Sequence, residues 1–516
     1  MASSTTQATT KSISQAKKSS NQVALFDWTS EPKLLKLQFM RLMQKPYLYV
    51  LIASLMLLAF AALYYSSHQR APNVRNSKEL VVVTHNAAGT YYVDGKGNLA
   101  GLEYDLAMLF AKDLGEDYRV RFIVADKVSD VVPMLKKGKA HFAAANLSIT
   151  AERAKDVRFG APYLDVQQHI AYGIDQNNEP EEIKDLFGKH IHVPKGSSYA
   201  ERLKALKLKN PMLKFQEVEN ASTDELLEQV NMGFLNYTVA DDRVIAILQN
   251  YYPNIGKGMA IGDPEQVGWA FPKNGNEWLY QKSLAFFDRI NKDGTLKSLV
   301  DRYHGHTERL DQLDVSKFLS QSHSVLPKFV TLFKAAQDLT DIDWRLIAAI
   351  SYQESHWDQY NTSPTNVRGM MMLTEETADE LGVTDRLDAK QSISGGARYI
   401  NTLRHQVPEH IPEPDRTWMA LAAYNIGFSH LEDARVLAKK MGLNPDSWAD
   451  IKTTLPLLNK AKYYNTAKFG YANGGAPVIF VESIRTYYDI LEKYFPGRES
   501  LFPNFELKPT AQAIKK

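Results

Sequence analysis

The sequence predicts a multidomain chain: one N-terminal hydrophobic helix, a bilobal α/β domain, and then a mainly α domain. Three observations carry this prediction. An uncharged apolar run, YLYVLIASLMLLAFAALYY, begins at Tyr47. Strand and helix patterns alternate, and then alternate again, between residues 79 and 304. Beyond that point helix patterns and short loops replace the strand signal.

Composition bounds the function. At 516 residues, with 44% apolar and 23% charged positions, the chain has core for two to four domains. The 61 basic and 59 acidic side chains leave a net charge of +2, so no nucleic-acid partner is expected. Cysteine is absent, which removes disulfides, thiolate metal sites and cysteine nucleophiles. No HExxH pattern and no phosphate-loop lysine occurs, so neither a metal nor another cofactor is expected.

Residues 1–46 read as a polar, basic tail, rich in Ser, Thr, Gln and Lys over its first thirty positions. The segment 47–66 is about long enough to span a bilayer, with tyrosines at both ends. Lys33, Lys36, Arg41 and Lys45 precede it, which favours a cytoplasmic N-terminus and an exported remainder. It reads as an uncleaved anchor, or else as a signal peptide cut after Ala59-Phe60-Ala61. We favour the anchor.

The α/β domain is expected over 79–304, with mainly parallel sheets. ELVVVTHN opens a strand, and GLEYDLAMLFAKDLG sets Leu102, Leu106, Leu109 and Phe110 on one helical stripe. RVRFIVA, HFAAANLSI, HIHVPKG, KFQEVE and NYTVADD read as further strands, with helices between them. Two such lobes bind ligands in their cleft, at the carboxyl ends of strands. Arg153 offers a fork for a carboxylate, Ser197 and Ser198 stand at a helix N-terminus that attracts anions, and Asp241 or Asp242 offers a partner for an ammonium. Each has a plainer reading: a surface ion pair for Arg153, an N-cap for the serines, a cap and a solvated charge for the aspartates.

The α domain is expected over 305–516. Its sharpest feature is IAAISYQESHWDQYNTSPTNVRGMMMLT, beginning at Ile347. Ile347, Ile350 and Glu354 step by three and four, so they share a helical stripe facing the core or a cleft floor. A buried, unpaired carboxylate is costly, and retaining its proton is cheaper. Such a protonated carboxyl is what a general acid needs for glycosidic cleavage. The alternative is that the helix ends here and Glu354 points into water. Ser355 can orient the carboxyl or a substrate, Gly369 permits close approach, and Met370 to Met372 offer soft apolar contacts for a sugar face. Tyr424 and Asn425 bring hydrogen-bonding groups just before Gly427, which reads as a helix stop. Asp358, the nearest second carboxylate, reads as a solvated loop acid.

Two resemblances rest on these stretches. GNLAGLEYDLAMLFAKDLG, LSITAERAKDVRFGAPY, VADD and KDGTLKSLVDRYHG resemble the family 3 bacterial extracellular solute-binding proteins. That resemblance implies a periplasmic-binding-protein-like fold and a clamp for an amino acid or muropeptide, built from Arg153 and Asp241 or Asp242. ESHWDQYNTSPTNVRGMMMLT, SISGGARYI and ALAAYNIG resemble the lysozyme-like Slt lytic transglycosylases. The pair of domains resembles their membrane-bound branch, which implies a periplasmic enzyme attached to a membrane, by resemblance the inner leaflet of the outer membrane, with peptidoglycan glycan strands as substrate. The implied reaction cleaves the bond from N-acetylmuramic acid to N-acetylglucosamine without water, leaving 1,6-anhydromuramoyl ends. Glu354 would act as acid and then base, Ser355 would position substrate, Tyr424 would bond near the reacting centre, and Asn425 would touch sugar. Many Slt-type enzymes carry glutamine where this chain has Met372, which removes one polar sugar contact. A glycan-binding receptor that does not cut, and a hydrolytic muramidase, are the rival readings.

Overall fold

The structure, a computed structural model, describes residues 50–58, 70–174 and 179–497. The expected tail over 1–46 and most of the apolar run lie outside the described residues, although 50–58 within that run are helical. Among the described residues no helix is long and apolar enough to cross a membrane. The described residues from 70 to 497 form one compact unit, and 50–58 belong to a separate one.

The first lobe contains β1 (Glu79–His85), the small hairpin β2 (Tyr92–Val93) and β3 (Leu99–Ala100), then β4 (Arg119–Ala125), β5 (Phe142–Ala143) and β6 (Val157–Val166). The second contains β7 (Gln168–Gly173), β8 (His190–Pro194), β9 (Lys214–Val218), β10 (Tyr237–Asp241) and β11 (Ile255–Ala260). The chain then returns to the first lobe as β12 (Glu265–Pro272). Strand orders are β4-β1-β5-β12-β6 and β11-β7-β10-β8-β9.

Each sheet is mixed, which corrects the expectation of mainly parallel pairing. β1 runs parallel to β4 and β5, and β8 parallel to β9 and β10, whereas β12 and β7 are antiparallel to their neighbours. The reason is local. β6 leads straight into β7 and β11 into β12, so the chain changes lobe at each of these steps, and β7 and β12, the first strand after each change, run against their neighbours. The long strand expected from HFAAANLSI shrinks to Phe142–Ala143 for want of a longer partner register.

The stripe on helix Leu102–Leu114 buries as expected: Leu102, Leu106 and Phe110 are inside the core, and Leu109 packs at its margin. Beside them lies a carboxylate. Glu103 is 1% exposed and accepts bonds from Tyr163 Oη (2.5 Å), Trp269 Nε1 (2.8 Å) and Asn146 N (2.6 Å). It thereby ties the helix to β6 and β12.

Helices follow from Thr295 onward. Trp344–Ser355 packs against Val330–Thr340 and against the closing helix Gly475–Tyr494. Ala389–Gln406 and Asp415–Ile426 complete the core. A buried ionic cluster joins this helical part to the α/β part. Arg485, 2% exposed, contacts Glu482 at 2.9 Å and Asp301 at 3.2 Å, and Lys452 reaches both carboxylates.

Candidate active site

Glu354 is the penultimate residue of Trp344–Ser355, and the helix stops at His356, whose φ of 53° is left-handed. The residue remains partly exposed, yet burial pushes its carboxyl up to about 8. Burial is the sole cause: among the described residues no group donates to this carboxyl or pairs with it. The carboxyl therefore holds its proton at neutral pH.

The stretch Gly369–Met372 lies against the Glu354 helix, which reaches the Met370 carbonyl through Ser351 and Ser355. Gly369 has φ +81°, and a Cβ there would overlap the Arg386 carbonyl. Met371 packs on Gly396, where a Cβ would meet its side chain at 2.7 Å, so the second glycine of SISGGARYI seats Met371, while the first, Gly395, faces Val383 and Leu373. Met370 and Met371 are fully buried. Met370 was expected at a sugar face; its side chain belongs to the core, and what it turns toward the Glu354 helix is its carbonyl, which accepts from Ser355 Oγ at 3.0 Å. Ser355 itself is 2% exposed, with its hydroxyl on backbone carbonyls rather than open to a substrate. Met372, at φ 47°, is partly exposed.

Tyr424 lies close enough to Glu354 for the carboxylate to push the phenol up, adding to the larger effect of burial. Its hydroxyl donates to the Met371 carbonyl at 2.7 Å. Asn425 is exposed one residue later. Asp358 sits on an exposed turn, where its carboxylate accepts from the Tyr360 amide at 2.9 Å.

The cleft of the α/β part gathers other charges. Arg153, 8% exposed, donates to the Ser148 carbonyl at 3.2 Å and faces Glu201 of the opposite lobe at 3.6 Å. Asp241 is buried at the end of β10, and its Oδ1 has no partner. Burial first, and then Glu265, raise its carboxyl to about 7 against the pull of Tyr199 and Arg153. His85 is held at about 4 by burial and by Arg153. About 10 Å³ is free beside Asp241, room for little more than a water molecule.

Two of the residues expected in the clamp have other work. Ser197 caps helix Ser198–Lys209, accepting from Ala200 N (3.2 Å) and donating to the Pro194 carbonyl (2.7 Å). Asp242 fastens the crossing between lobes, its Oδ1 accepting from Gln167 N at 3.2 Å. Ser198, not Ser197, meets the other lobe through Ser148 Oγ at 3.4 Å.

Comparison with known proteins agrees with this division. The profile of bacterial extracellular solute-binding proteins, family 3, matches residues 80–306, and that of the transglycosylase SLT domain matches 331–444. A protein of Methylobacillus flagellatus named membrane-bound lytic murein transglycosylase F is 56% identical over 84% of this chain and 92% of its own length. The chain belongs to the membrane-bound lytic murein transglycosylase F family. A Nitrosospira multiformis protein of the same name is 48% identical over 82% of this chain and 88% of its own length. Among solved structures, an ancestral arginine-binding protein bound to arginine is 28% identical, covering 44% of this chain and 98% of its own, with a TM-score of 0.40.

The chain also places at these sites residues that the sequence did not single out. Ser351 and Ser392 hold the methionine loop by its backbone, and Glu201 faces Arg153 across the cleft. Their signal was faint: serine on a helix face and glutamate in a helix are common surface choices.

Proposed function

We propose that this lytic murein transglycosylase cleaves the β-1,4 bond from N-acetylmuramic acid to N-acetylglucosamine in peptidoglycan, with Glu354 as its single acid and base. The supporting observation is one carboxyl, raised to about 8 by burial alone, beside Tyr424. Protonated Glu354 gives its proton to the leaving oxygen as the C1–O bond breaks and an oxocarbenium-like centre forms. The resulting carboxylate then takes the proton of the C6 hydroxyl as that oxygen bonds to C1, closing the 1,6-anhydro ring. Glu354 ends protonated, and water is not consumed. Tyr424 and Asn425 line the approach, Met372 supplies an apolar contact, and Ser355 acts through the Met370 carbonyl.

A hydrolase would need a second carboxylate to activate water. Asp358, the nearest candidate, is committed to its turn. Mass spectrometry of digested peptidoglycan decides the matter: anhydro ends are expected, reducing ends would mean a hydrolase, and absence of fragments a binder.

The α/β region, bounded at 79–304, acts as a clamp for an amino acid or muropeptide, ahead of a catalytic region over 305–516. Arg153 would take the ligand's carboxylate after releasing Glu201, and Asp241 its ammonium. Partnerless buried atoms at His85 Nδ1, Gln168 Oε1 and Asp241 Oδ1 support a polar occupant. The ionic cluster of Asp301, Arg485 and Glu482 gives ligand capture a route to the catalytic helices. Cleavage rates that ignore ligand saturation would end that part of the reading.

The apolar run 47–66 serves as an uncleaved anchor; the exposed Leu55, Met56, Leu57 and Leu58 of its helical portion support this. The enzyme would then face the periplasm from the inner membrane. Loss of the run from the mature protein, read by N-terminal sizing, would point instead to the outer membrane's inner leaflet.

A further inference from the structure

Ser355 is the hydroxyl next to Glu354 in sequence, but two serines reach the methionine loop. Ser351 lies one turn earlier on the same helix, fully buried, and its Oγ donates to the Met370 carbonyl at 3.0 Å. Ser355 Oγ is 3.0 Å from that carbonyl and also 3.0 Å from the Ser351 carbonyl. A serine hydroxyl carries one proton. Ser355 must divide its proton between two acceptors, whereas Ser351 gives its own to Met370 alone.

The next peptide is held on both sides. Met371 N donates to Ser392 Oγ at 3.2 Å, and its carbonyl accepts from Tyr424 Oη at 2.7 Å. Gly369 N donates to the Asn361 carbonyl at 2.9 Å. Residues three and four apart share a helix face, so Ser351, Glu354 and Ser355 present one surface to this loop. Fixing the Met370 carbonyl fixes the loop against the helix that carries Glu354 and, through the Met371 carbonyl, against Tyr424.

We propose that Ser351 is a positioning residue for glycan cleavage: it holds the Met370 carbonyl, and through it the methionine loop against the Glu354 helix. This rests on the reading of Glu354 as the acid. Ser355 is then the auxiliary holder and Ser351 the principal one. Loosening the loop admits water, lowers the carboxyl's proton affinity, and moves the alkaline fall of activity to lower pH.

The test uses the full-length enzyme on soluble glycan strands, with Ser351→Ala, Ser355→Ala, the double variant and Ser351→Cys, a weaker donor of nearly the same shape. Ser351→Ala is expected to lower kcat about tenfold, with KM within about twofold of wild type. Its alkaline limb should fall at a pH lower by about half a unit or more. Ser355→Ala should cost about threefold or less, the double variant about a hundredfold, and Ser351→Cys should lie between Ser351→Ala and wild type. A lowered Tm with kcat and the limb unmoved would mean that Ser351 only packs the core, and would overturn the proposal. If Glu354→Gln still cut glycan, the acid assignment itself would fall. If Glu354→Gln is inert while Ser351→Ala behaves as wild type, only the present inference fails.

Discussion

Glu103 in the α/β region and Glu354 in the helical region are both carboxyls that burial drives upward, and they differ in company. Glu103 has three donors, from Tyr163, Trp269 and Asn146. Glu354 has none among the described residues. Burial sets the direction of both shifts, but hydrogen bonding decides the use. A carboxyl surrounded by donors is a strut, and one left without them keeps a proton it can give away.

That contrast breaks most visibly at Glu354. Glu354→Gln should reduce release of anhydro-ended fragments by about a hundred- to ten-thousandfold, with the fold intact by circular dichroism. Retained cutting would dismiss Glu354 as the acid. A third kind of buried charge, ion-paired rather than hydrogen-bonded or alone, sharpens the comparison. Arg485→Ala leaves the buried Glu482 and Asp301 with Lys452 as their one shared cation and should destabilise the protein by about 3 kcal/mol in denaturant unfolding. At the strut, Glu103→Gln places an amide among donors and should cost about 1–3 kcal/mol, whereas Glu354→Gln should cost no stability.

The pH dependence separates the two again. As the proposed acid Glu354 must be protonated to act, so kcat/KM should halve near pH 8 and decline above it. Its folded pKa lies above the ordinary 4.5, so the folded state binds more protons than the unfolded one between those values. Wild type therefore loses stability relative to Glu354→Gln as pH rises from about 4.5 to about 8, and the gap stops widening beyond. A gap that does not change with pH would mean that the carboxyl is solvated. The smallest effect is expected in the cleft. Asp241, raised to about 7, should make Asp241→Asn melt higher than wild type above neutrality, by about 2–4 °C per kcal/mol, and not at acid pH.

Much of this was legible in the chain. The stripe of Leu102, Leu106 and Phe110 followed from helical period, and the position of Glu354 on an apolar helix face followed from its spacing to Ile347 and Ile350. Gly369 announced a backbone that no side chain could share. Other features were hidden because they depend on residues far apart in sequence. Met370 looked like a sugar contact, yet Gly396 and the serines of another turn drew the loop inward. Asp241 and Asp242 were equivalent on paper, and the crossing at Gln167 assigned one to the hinge and left the other in the cleft with its Oδ1 unpaired.

The sequence alone determined the order of parts and the residue types at the slot, because period and composition are local properties that survive without a fold. Only the tertiary structure decided which carboxyls have partners, since hydrogen bonds are satisfied by whatever the packing brings within 3 Å or so. Glu103 and Glu354 have the same side chain; their surroundings make one a hydrogen-bonded brace and leave the other, the proposed acid, without a donor among the described residues.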